Sequence, residues 1–307
     1  MIERFLVVLM QVISLFLLMG AGFILSKAKL LTEVGTKQVS AILVNAVTPC
    51  LVVTTLQIDW DAQVLKEIGT IVLILAGAFV LLILASLLLF RKEPDDARAT
   101  LRFGVIFSNC GYMGLPLVTA VLGSGTTLIA ALMIVVFNFF VFTYGIVLMG
   151  GKKAFSPRAL INPVIVSMVI GAALMLLRIK LPGPIATAAG SIASLNSPLA
   201  MITIGAQLAR ADLSSIFNQA RLYKTTLIRN IIFPVVIAFL LLPLQINRTT
   251  YIALVILFGT PVAGVTSIFA EKYDRDSQLA AQMVSLTTIL SIITLPLIAV
   301  LAEVMRH

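Results

Sequence analysis

In the middle of an apolar run the chain reads FSNCGYMGLP, from Phe107 to Pro116. This stretch places a polar pair, two glycines and a proline where a continuous membrane helix would avoid them. We expect the helix to break here, which frees N–H groups at the start of one half-helix and C=O groups at the end of the other. Freed N–H groups and the helix dipole together favour an anion.

A related stretch, FGTPVAG, runs from Phe258 to Gly264 in the second half of the chain. Phe258 follows Phe107 by 151 residues. The same separation links three other identical pairs: Gly20 with Gly171, Ser40 with Ser191, and Asn45 with Asn196. We therefore expect the second half to repeat the first, with the two interruptions framing one pocket.

Composition predicts an integral membrane protein, because 60% of the 307 residues are hydrophobic and only 11% are charged. Ten apolar stretches have the length of a membrane span. Numbered 1 to 10, these spans are 5–25, 35–56, 68–90, 100–122, 127–149, 161–178, 185–209, 226–246, 250–270 and 279–302.

Five spans fall in residues 1–150 and five in residues 157–307, joined by a short basic linker. An odd number of spans turns the second copy upside down in the bilayer. The predicted fold is an all-α polytopic membrane protein of ten transmembrane helices, arranged as two inverted five-helix repeats with two broken, crossing helices. This pattern is typical of secondary transporters, whose substrate site lies near the midplane where broken helices meet.

The distribution of basic residues predicts the orientation. Six of the 22 Lys and Arg residues lie on the side of the N-terminus and the other 16 on the opposite side, which should be cytoplasmic. Both termini would then face the periplasm or exterior. The net charge of +9 is explained by topology and contact with anionic lipid, so no nucleic-acid partner is expected.

The candidate substrate residues come mainly from the two interruptions. Asn109 and Thr260 are expected to hydrogen-bond the substrate, Tyr112, Met113 and Val262 to fit its apolar body, and the glycines and prolines to shape the backbone. The set comprises Asn109, Cys110, Gly111, Tyr112, Met113, Pro116, Thr260, Pro261, Val262, Ala263 and Gly264.

Polar residues inside other spans form a second candidate set. Asn45 in span 2, Asn138 in span 5 and Asn196 in span 7 are included as possible substrate contacts, as is Gln207 in span 7. Helix packing is the alternative role for such residues, and it is narrowly favoured.

Missing residue types narrow the chemistry. No Asp or Glu lies in the middle of a span, and the single His is His307, so buried carboxylate and His relays have no candidates. Cys50 and Cys110 lie in apolar segments, which is unlike a disulfide framework or a metal site. No cofactor, metal or enzymatic activity is expected. Arg229, near the cytoplasmic end of span 8, is expected to extend to the headgroups, with the alternative that it faces a cavity and attracts anions.

Three motifs resemble the auxin efflux carrier family, which includes plant PIN auxin transporters and bacterial permeases linked to malate or malonate. They are Asn109 followed by Met113-Gly-Leu-Pro-Leu117, then Phe269-Ala-Glu-Lys-Tyr273, and finally Thr294-Leu-Pro296. The resemblance covers the whole chain. The long hydrophilic central loop of many plant members is absent, so the chain looks like a bacterial protein of the cytoplasmic (inner) membrane.

The resemblance implies a fold similar to bile acid sodium symporters and the NhaA antiporter. Spans 1, 2, 6 and 7 would form a scaffold, and spans 3–5 and 8–10 a moving transport domain in which spans 4 and 9 cross at Pro116 and Pro261. The implied function is elevator-type transport of a small organic anion such as malate, malonate or an auxin-like acid. A homodimer joined through the scaffold would suit this fold.

Three rival functions stay open at this stage. A sodium-coupled organic anion symporter shares the fold, with Gln207, Thr260 and Gln282 as possible sodium ligands. A channel would conduct without saturation at low substrate concentration. A membrane-embedded enzyme is the least favoured. The charged cluster from Glu271 to Asp276 is expected to be a solvated loop, with a cytoplasmic gate as the alternative.

Overall fold

The computed structural model describes residues 2–210 and 219–306, so His307 lies outside the described residues. Regular secondary structure in this part of the chain is helical. The α-helices, numbered α1 to α16, are Ile2–Lys27, Glu33–Ile42, Thr48–Thr55, Ala62–Leu88, Asp95–Ile106, Leu115–Leu122, Thr127–Phe140, Ile146–Gly150, Pro163–Leu176, Gly183–Ser194, Asn196–Leu208, Ala220–Leu227, Phe233–Leu241, Arg248–Gly259, Val265–Lys272 and Ser277–Met305.

Wider π-helical turns at Leu43–Val47, Val141–Gly145 and Ile228–Ile232 each join two α-helices into one continuous helix. A fourth π turn, Cys110–Gly114, leads directly into α6. Single 3₁₀ turns occupy Ser124–Thr126, Lys152–Ala154 and Pro157–Leu160, the last two in the linker between the halves. An all-helical architecture suits a bilayer because a helix satisfies its own backbone hydrogen bonds.

Seven helical segments of the described residues are long and apolar enough to cross a membrane. They are Leu9–Lys27, Glu33–Thr55, Ala62–Leu88, Ser124–Gly150, Gly183–Leu208, Ala220–Leu241 and Ser277–Met305. These segments coincide with predicted spans 1, 2, 3, 5, 7, 8 and 10. Length and composition therefore identify a multi-pass membrane protein.

Shorter apolar helices occur where spans 4, 6 and 9 were predicted: Cys110–Leu122, Pro163–Leu176 and Arg248–Gly259. In spans 4 and 9 the shortness has a visible cause, since each is divided by non-helical backbone. In span 6 the Asn162 side chain accepts hydrogen bonds from the backbone N–H groups of Val164 and Ile165 at 3.0 Å, which begins α9 with Pro163 in its first turn.

Large apolar side chains are exposed along the outer faces of the helices. Leu73 is 75% exposed, Leu17 is 70% exposed and Phe239 is 61% exposed. So many bare apolar side chains would be unfavourable in water but are matched to lipid. The surface pattern therefore agrees with the composition.

An aromatic cluster packs beside the two interruptions. The ring of Phe79 in α4 lies 6.1 Å from that of Phe107 and 5.7 Å from that of Phe258. Phe107 also meets Phe137 edge-on at 5.7 Å. The residues that precede the two interruptions thus share one aromatic neighbour, which fixes the ends of the two helices close together.

Helices α1 and α11 cross in backbone contact. A Cβ added at Gly22 would lie 2.0 Å from the carbonyl oxygen of Ile202, and one added at Gly205 would lie 1.9 Å from that of Met19. Only glycine permits this approach at either position. Helix α3 packs against α9 and α10, so the helices in spans 1, 2, 6 and 7 contact one another.

Candidate functional site

The interruptions in spans 4 and 9 lie side by side. Helix α5 ends at Ile106 and α14 ends at Gly259. Beyond them, Asn109 N donates to Pro261 O at 2.8 Å, and Ala263 N donates to Phe107 O at 3.0 Å. The two strands of backbone run antiparallel, with Ser108 opposite Val262. Each interruption therefore satisfies backbone groups of the other in the protein interior.

The sequence-based position of Pro116 at this crossing is wrong. Pro261 contributes its carbonyl to the crossing, but its counterparts there are Phe107 to Asn109, and Pro116 lies within α6. The π turn before α6 displaces the proline from the crossing.

The missing N–H of Pro116 has a consequence one turn earlier. In the π turn, Gly114 N donates to Asn109 O at 3.1 Å and Leu115 N donates to Cys110 O, so each bond spans five residues. The next carbonyl, Gly111 O, would face Pro116 and has no donor there. It accepts a bond from Asn196 Nδ2 at 3.2 Å instead, which connects span 7 to the crossing.

The prediction that Arg229 extends to the headgroups is also wrong. Its side chain is fully buried. The helix that carries it begins at Ala220, before the predicted start of span 8, which places Arg229 roughly 13 Å along the helix axis. The guanidinium donates from Nη1 to Val105 O at 3.1 Å, from Nε to Thr260 O at 3.2 Å, and from Nη2 to Phe258 O.

These carbonyls need donors because of the interruptions. In a continuous helix Asn109 N would donate to Val105 O, and Val262 N would donate to Phe258 O. Asn109 N is bound to Pro261 O instead, and Val262 N donates to Thr287 Oγ1 at 3.1 Å. Arg229 replaces both lost donors, which explains why a cation lies in the interior.

A cavity of about 120 Å³ adjoins the crossing. Eight of the predicted residues line it: Asn109, Gly111, Tyr112, Asn138, Asn196, Gln207, Ala263 and Gly264. The N-terminal ends of the two helical segments that follow the interruptions therefore face the cavity. No acidic side chain occurs among the described residues of its lining.

Two buried amide atoms at the cavity wall, Asn109 Nδ2 and Asn196 Oδ1, have no hydrogen-bond partner among the described residues. Leaving a buried donor or acceptor unpaired costs about 1–3 kcal/mol. A polar ligand in the cavity would restore these hydrogen bonds, with Asn109 as the donor.

Four predicted residues of the crossing do not line the cavity because they pack or bond elsewhere. Thr260 Oγ1 donates to Leu257 O at 2.8 Å within its own chain segment. Met113 Sδ lies 3.9 Å from Ser291 Oγ. Cys110 and Val262 are buried in the core.

Pro116, Pro261 and Asn45 also lie off the cavity wall. Asn45 is exposed on α2–α3, and its Nδ2 donates to Ala41 O at 2.8 Å in the same helix. Its repeat-related partner Asn196 is 3% exposed and lies at the cavity. The two asparagines, equivalent in sequence spacing, therefore have different surroundings.

One face of span 7 contributes more than the sequence analysis selected. Asn196, Ala200, Thr203 and Gln207 all line the cavity, at intervals of four, three and four residues. This is the spacing of one helix face, and it is the signal that could have identified Thr203. Ser40, Ser108, Phe137 and Phe142 are further lining residues outside the predicted set.

A second cavity, of about 730 Å³, adjoins the first. Both are lined by Ser40, Val44, Ile204, Gln207 and Ile268. The larger cavity carries charged residues at its rim: Glu33, Lys37, Arg210, Glu271 and Lys272. It forms a vestibule between the small cavity and the charged ends of α2, α11 and α15.

An ion pair crosses this vestibule. Lys37 Nζ in α2 lies 3.0 Å from Glu271 Oε1 in α15 and 3.1 Å from Glu33 Oε1. Both Lys37 and Glu271 are more than half exposed, so the pair is hydrated. Glu271, expected to belong to a solvated loop, thus lies at the end of a helix and contacts another span.

Apolar helices of membrane-spanning length, two interrupted helices and a polar cavity between them define a membrane transporter. A family model described as "Membrane transport protein" matches residues 7–299. The chain belongs to this family, which is the auxin efflux carrier family that its motifs resemble. No curated protein matches the chain.

Proposed function

We propose that this membrane transport protein is a secondary transporter of a small organic anion, a carboxylate such as malate, malonate or an auxin-like acid. The observation that carries the proposal is the unpaired Asn109 Nδ2, a buried donor in a cavity bordered by two helix N-terminal ends. Amide donors and helix N-termini favour negative charge. The described lining contains no carboxylate to repel it.

The size of the cavity favours the smaller members of this class. Its volume of about 120 Å³ is well below the roughly 300–1,000 Å³ of pockets for drug-sized ligands. A three- or four-carbon acid suits this space better than an indole acid. An indole acid would require the cavity to widen into the vestibule.

We propose elevator-type alternating access as the mechanism, on a fold of ten spans in two inverted repeats. Spans 1, 2, 6 and 7 would be the scaffold, and spans 3–5 and 8–10 the moving transport domain. In support, the cavity is lined both by Asn196 and Thr203 of span 7 and by Asn109 and Gly264 of spans 4 and 9. A homodimer joined through the scaffold would keep the transport domain free to move.

Access in this conformation would come from the cytoplasm. The vestibule is bordered by the ends of the helices next to the loops that are rich in Lys and Arg. Positively charged loops are retained on the cytoplasmic side. We place the protein in a bacterial cytoplasmic membrane, with both termini on the periplasmic side and the small cavity open inwards.

The sodium-coupled alternative has weaker support. Of its three suggested ligands, Gln207 lines the cavities, Thr260 Oγ1 donates to Leu257 O, and Gln282 Oε1 accepts from Gln219 Nε2 at 3.0 Å. The three side chains thus engage different neighbours. No single coordination sphere for sodium is indicated by these contacts.

Uptake into proteoliposomes tests the proposal. Labelled malate, malonate and indole-3-acetate would be offered to purified protein with and without sodium, a pH gradient and an imposed voltage. We expect saturable uptake of at least one acid, with protein-free vesicles as the control. Conductance without saturation would indicate a channel, stimulation by sodium would indicate the symporter, and no uptake of any acid by folded protein would refute the proposal.

A further inference from the structure

Arg229 is a buried cation, and no buried carboxylate of the described residues pairs with it. Its polar contacts are the three carbonyls of Val105, Phe258 and Thr260. It forms no ion pair with any described carboxylate. Glu303, the other charged residue of the described core, lies near the C-terminal end of α16. The positive charge at the crossing is therefore balanced by carbonyl dipoles alone.

Those dipoles can be counted. Each helix end carries about half an elementary charge, negative at the C-terminus and positive at the N-terminus. The C-terminal ends of α5 and α14 meet at Arg229, and their summed charge of about −1 matches its +1. The N-terminal ends that begin near Asn109 and Gly264 contribute about +1, and no charged side chain among the described lining opposes it.

We propose that Arg229 is a positioning residue that fixes the transported species as a singly charged anion. The charge of Arg229 cancels that of the two negative helix ends, so the empty site keeps a net charge of about +1 from the two helix N-terminal ends. One negative charge on the substrate neutralises it. This inference rests on the proposed function. The substrate would be a small monocarboxylate, or a dicarboxylate that has kept one proton, and it would cross the membrane in an electrically neutral complex.

A purely structural Arg229 would predict something different. A residue that only held the backbone together would alter the amount of folded protein and the rate of transport. It would leave the dependence of transport on voltage and on substrate charge unchanged. Exchange of one acid for itself isolates these properties, because with saturating acid on both sides only the loaded carrier crosses.

The wild-type protein provides the first test. Exchange of malonate and of monomethyl malonate would be measured in proteoliposomes at pH 5.5 and 7.5, with and without a potassium-diffusion potential of 100 mV. At malonate concentrations that do not saturate the carrier, we expect faster malonate exchange at pH 5.5, where more malonate carries a single charge. Exchange of monomethyl malonate, singly charged at both values, should depend little on pH and should change less than about twofold with voltage.

Arg229→Gln and Arg229→Lys provide the second test. Arg229→Gln removes the charge, so the loaded complex would carry −1 and exchange of monomethyl malonate should become voltage-dependent, by up to about sevenfold for 100 mV if the barrier lies midway across the field. Arg229→Lys keeps the charge. Its exchange should stay voltage-independent. It should be slower than in the wild type, because a lysine ammonium cannot reproduce the three hydrogen bonds that the guanidinium donates to the carbonyls.

The outcomes separate the inference from the function. Faster malonate exchange at pH 7.5, or several-fold voltage dependence of wild-type monomethyl malonate exchange, would overturn the inference while leaving the transporter in place. Voltage-independent exchange by Arg229→Gln would also overturn it. If that variant does not fold, the wild-type pH and voltage profiles still decide. Failure of the wild type to exchange any acid of the earlier panel would refute the proposed function itself.

Discussion

At the scale of single residues, Asn109 has two separable roles. Its backbone N–H holds the crossing through Pro261 O, and its side-chain amide faces the cavity without a partner. Substitution of the side chain leaves the backbone bond intact. Transport and folding should therefore respond differently to mutation at this position.

We predict that Asn109→Ala lowers uptake of the transported acid by about tenfold or more, because a hydrogen bond to a charged group contributes about 1.5–3 kcal/mol. Asn109→Asp should lower it further, since a carboxylate would repel the anion. Asn45→Ala is the matched control, as that amide bonds to Ala41 O on an exposed face. It should stay within about twofold of wild type. Equal losses of uptake in Asn109→Ala and Asn45→Ala would show that Asn109 does not contact the substrate.

The sequence predicted some of these residues and not others, for physical reasons. Asn109 stood out because an amide inside an apolar run is costly unless it bonds to something. Arg229 did not, because a cation near a span end has the same sequence signature whether it reaches the headgroups or turns inwards. Its partners are backbone carbonyls from two distant segments, which no local pattern reveals.

At the scale of helices, Gly, Pro and polar residues predict interruptions within Phe107–Pro116 and Phe258–Gly264 but not how the two segments align. In the structure, α5 ends at Ile106 and α14 ends at Gly259. Met113 lies within the π turn Cys110–Gly114 and Pro116 follows it, and neither residue lines the cavity. Such turns follow from tertiary packing, which explains why simple helical periodicity could not place these side chains.

The crossing of α1 and α11 allows a test of helix packing. Gly22→Ala would put a methyl group 2.0 Å from the carbonyl oxygen of Ile202, a backbone atom that cannot rotate away. We expect a destabilisation of about 1–3 kcal/mol, seen as a lower midpoint of thermal unfolding in detergent. Gly20→Ala, in the same helix, meets no atom within 4 Å and should unfold like the wild type. Equal midpoints for the two variants would contradict this packing.

At the scale of the whole molecule, the Lys37–Glu271 pair joins a proposed scaffold helix to a proposed transport-domain helix across the vestibule. An exposed ion pair contributes at most about 1 kcal/mol, and Lys37 retains Glu33 if Glu271 is removed. We therefore predict that Glu271→Gln changes the uptake rate by less than about fivefold. Loss of transport in that variant, with normal folding, would show a stronger gate than the geometry supports.

A second charged cluster, around Arg275, should not change stability over the pH range of these experiments. Arg275 Nη1 lies 3.0 Å from Asp95 Oδ2 and 2.7 Å from Asp96 Oδ1, and its Nε donates to Met149 O at 2.6 Å. Hydrogen bonds from Arg98 and then Arg275 lower the pKa of Asp95 below its ordinary 3.8. The stabilisation is present above the ordinary value and is lost only as the pH falls through the lowered one, so it should be constant between pH 5.5 and 7.5.

We propose that the cavity at the crossing holds the transported anion. An experimental structure of the protein with the acid selected by the uptake panel tests this proposal most directly. We predict carboxylate density within hydrogen-bond distance of Asn109 Nδ2, between the two helix N-terminal ends near Asn109 and Gly264. Density confined to the vestibule near Lys37 and Arg210, with the small cavity empty, would contradict it.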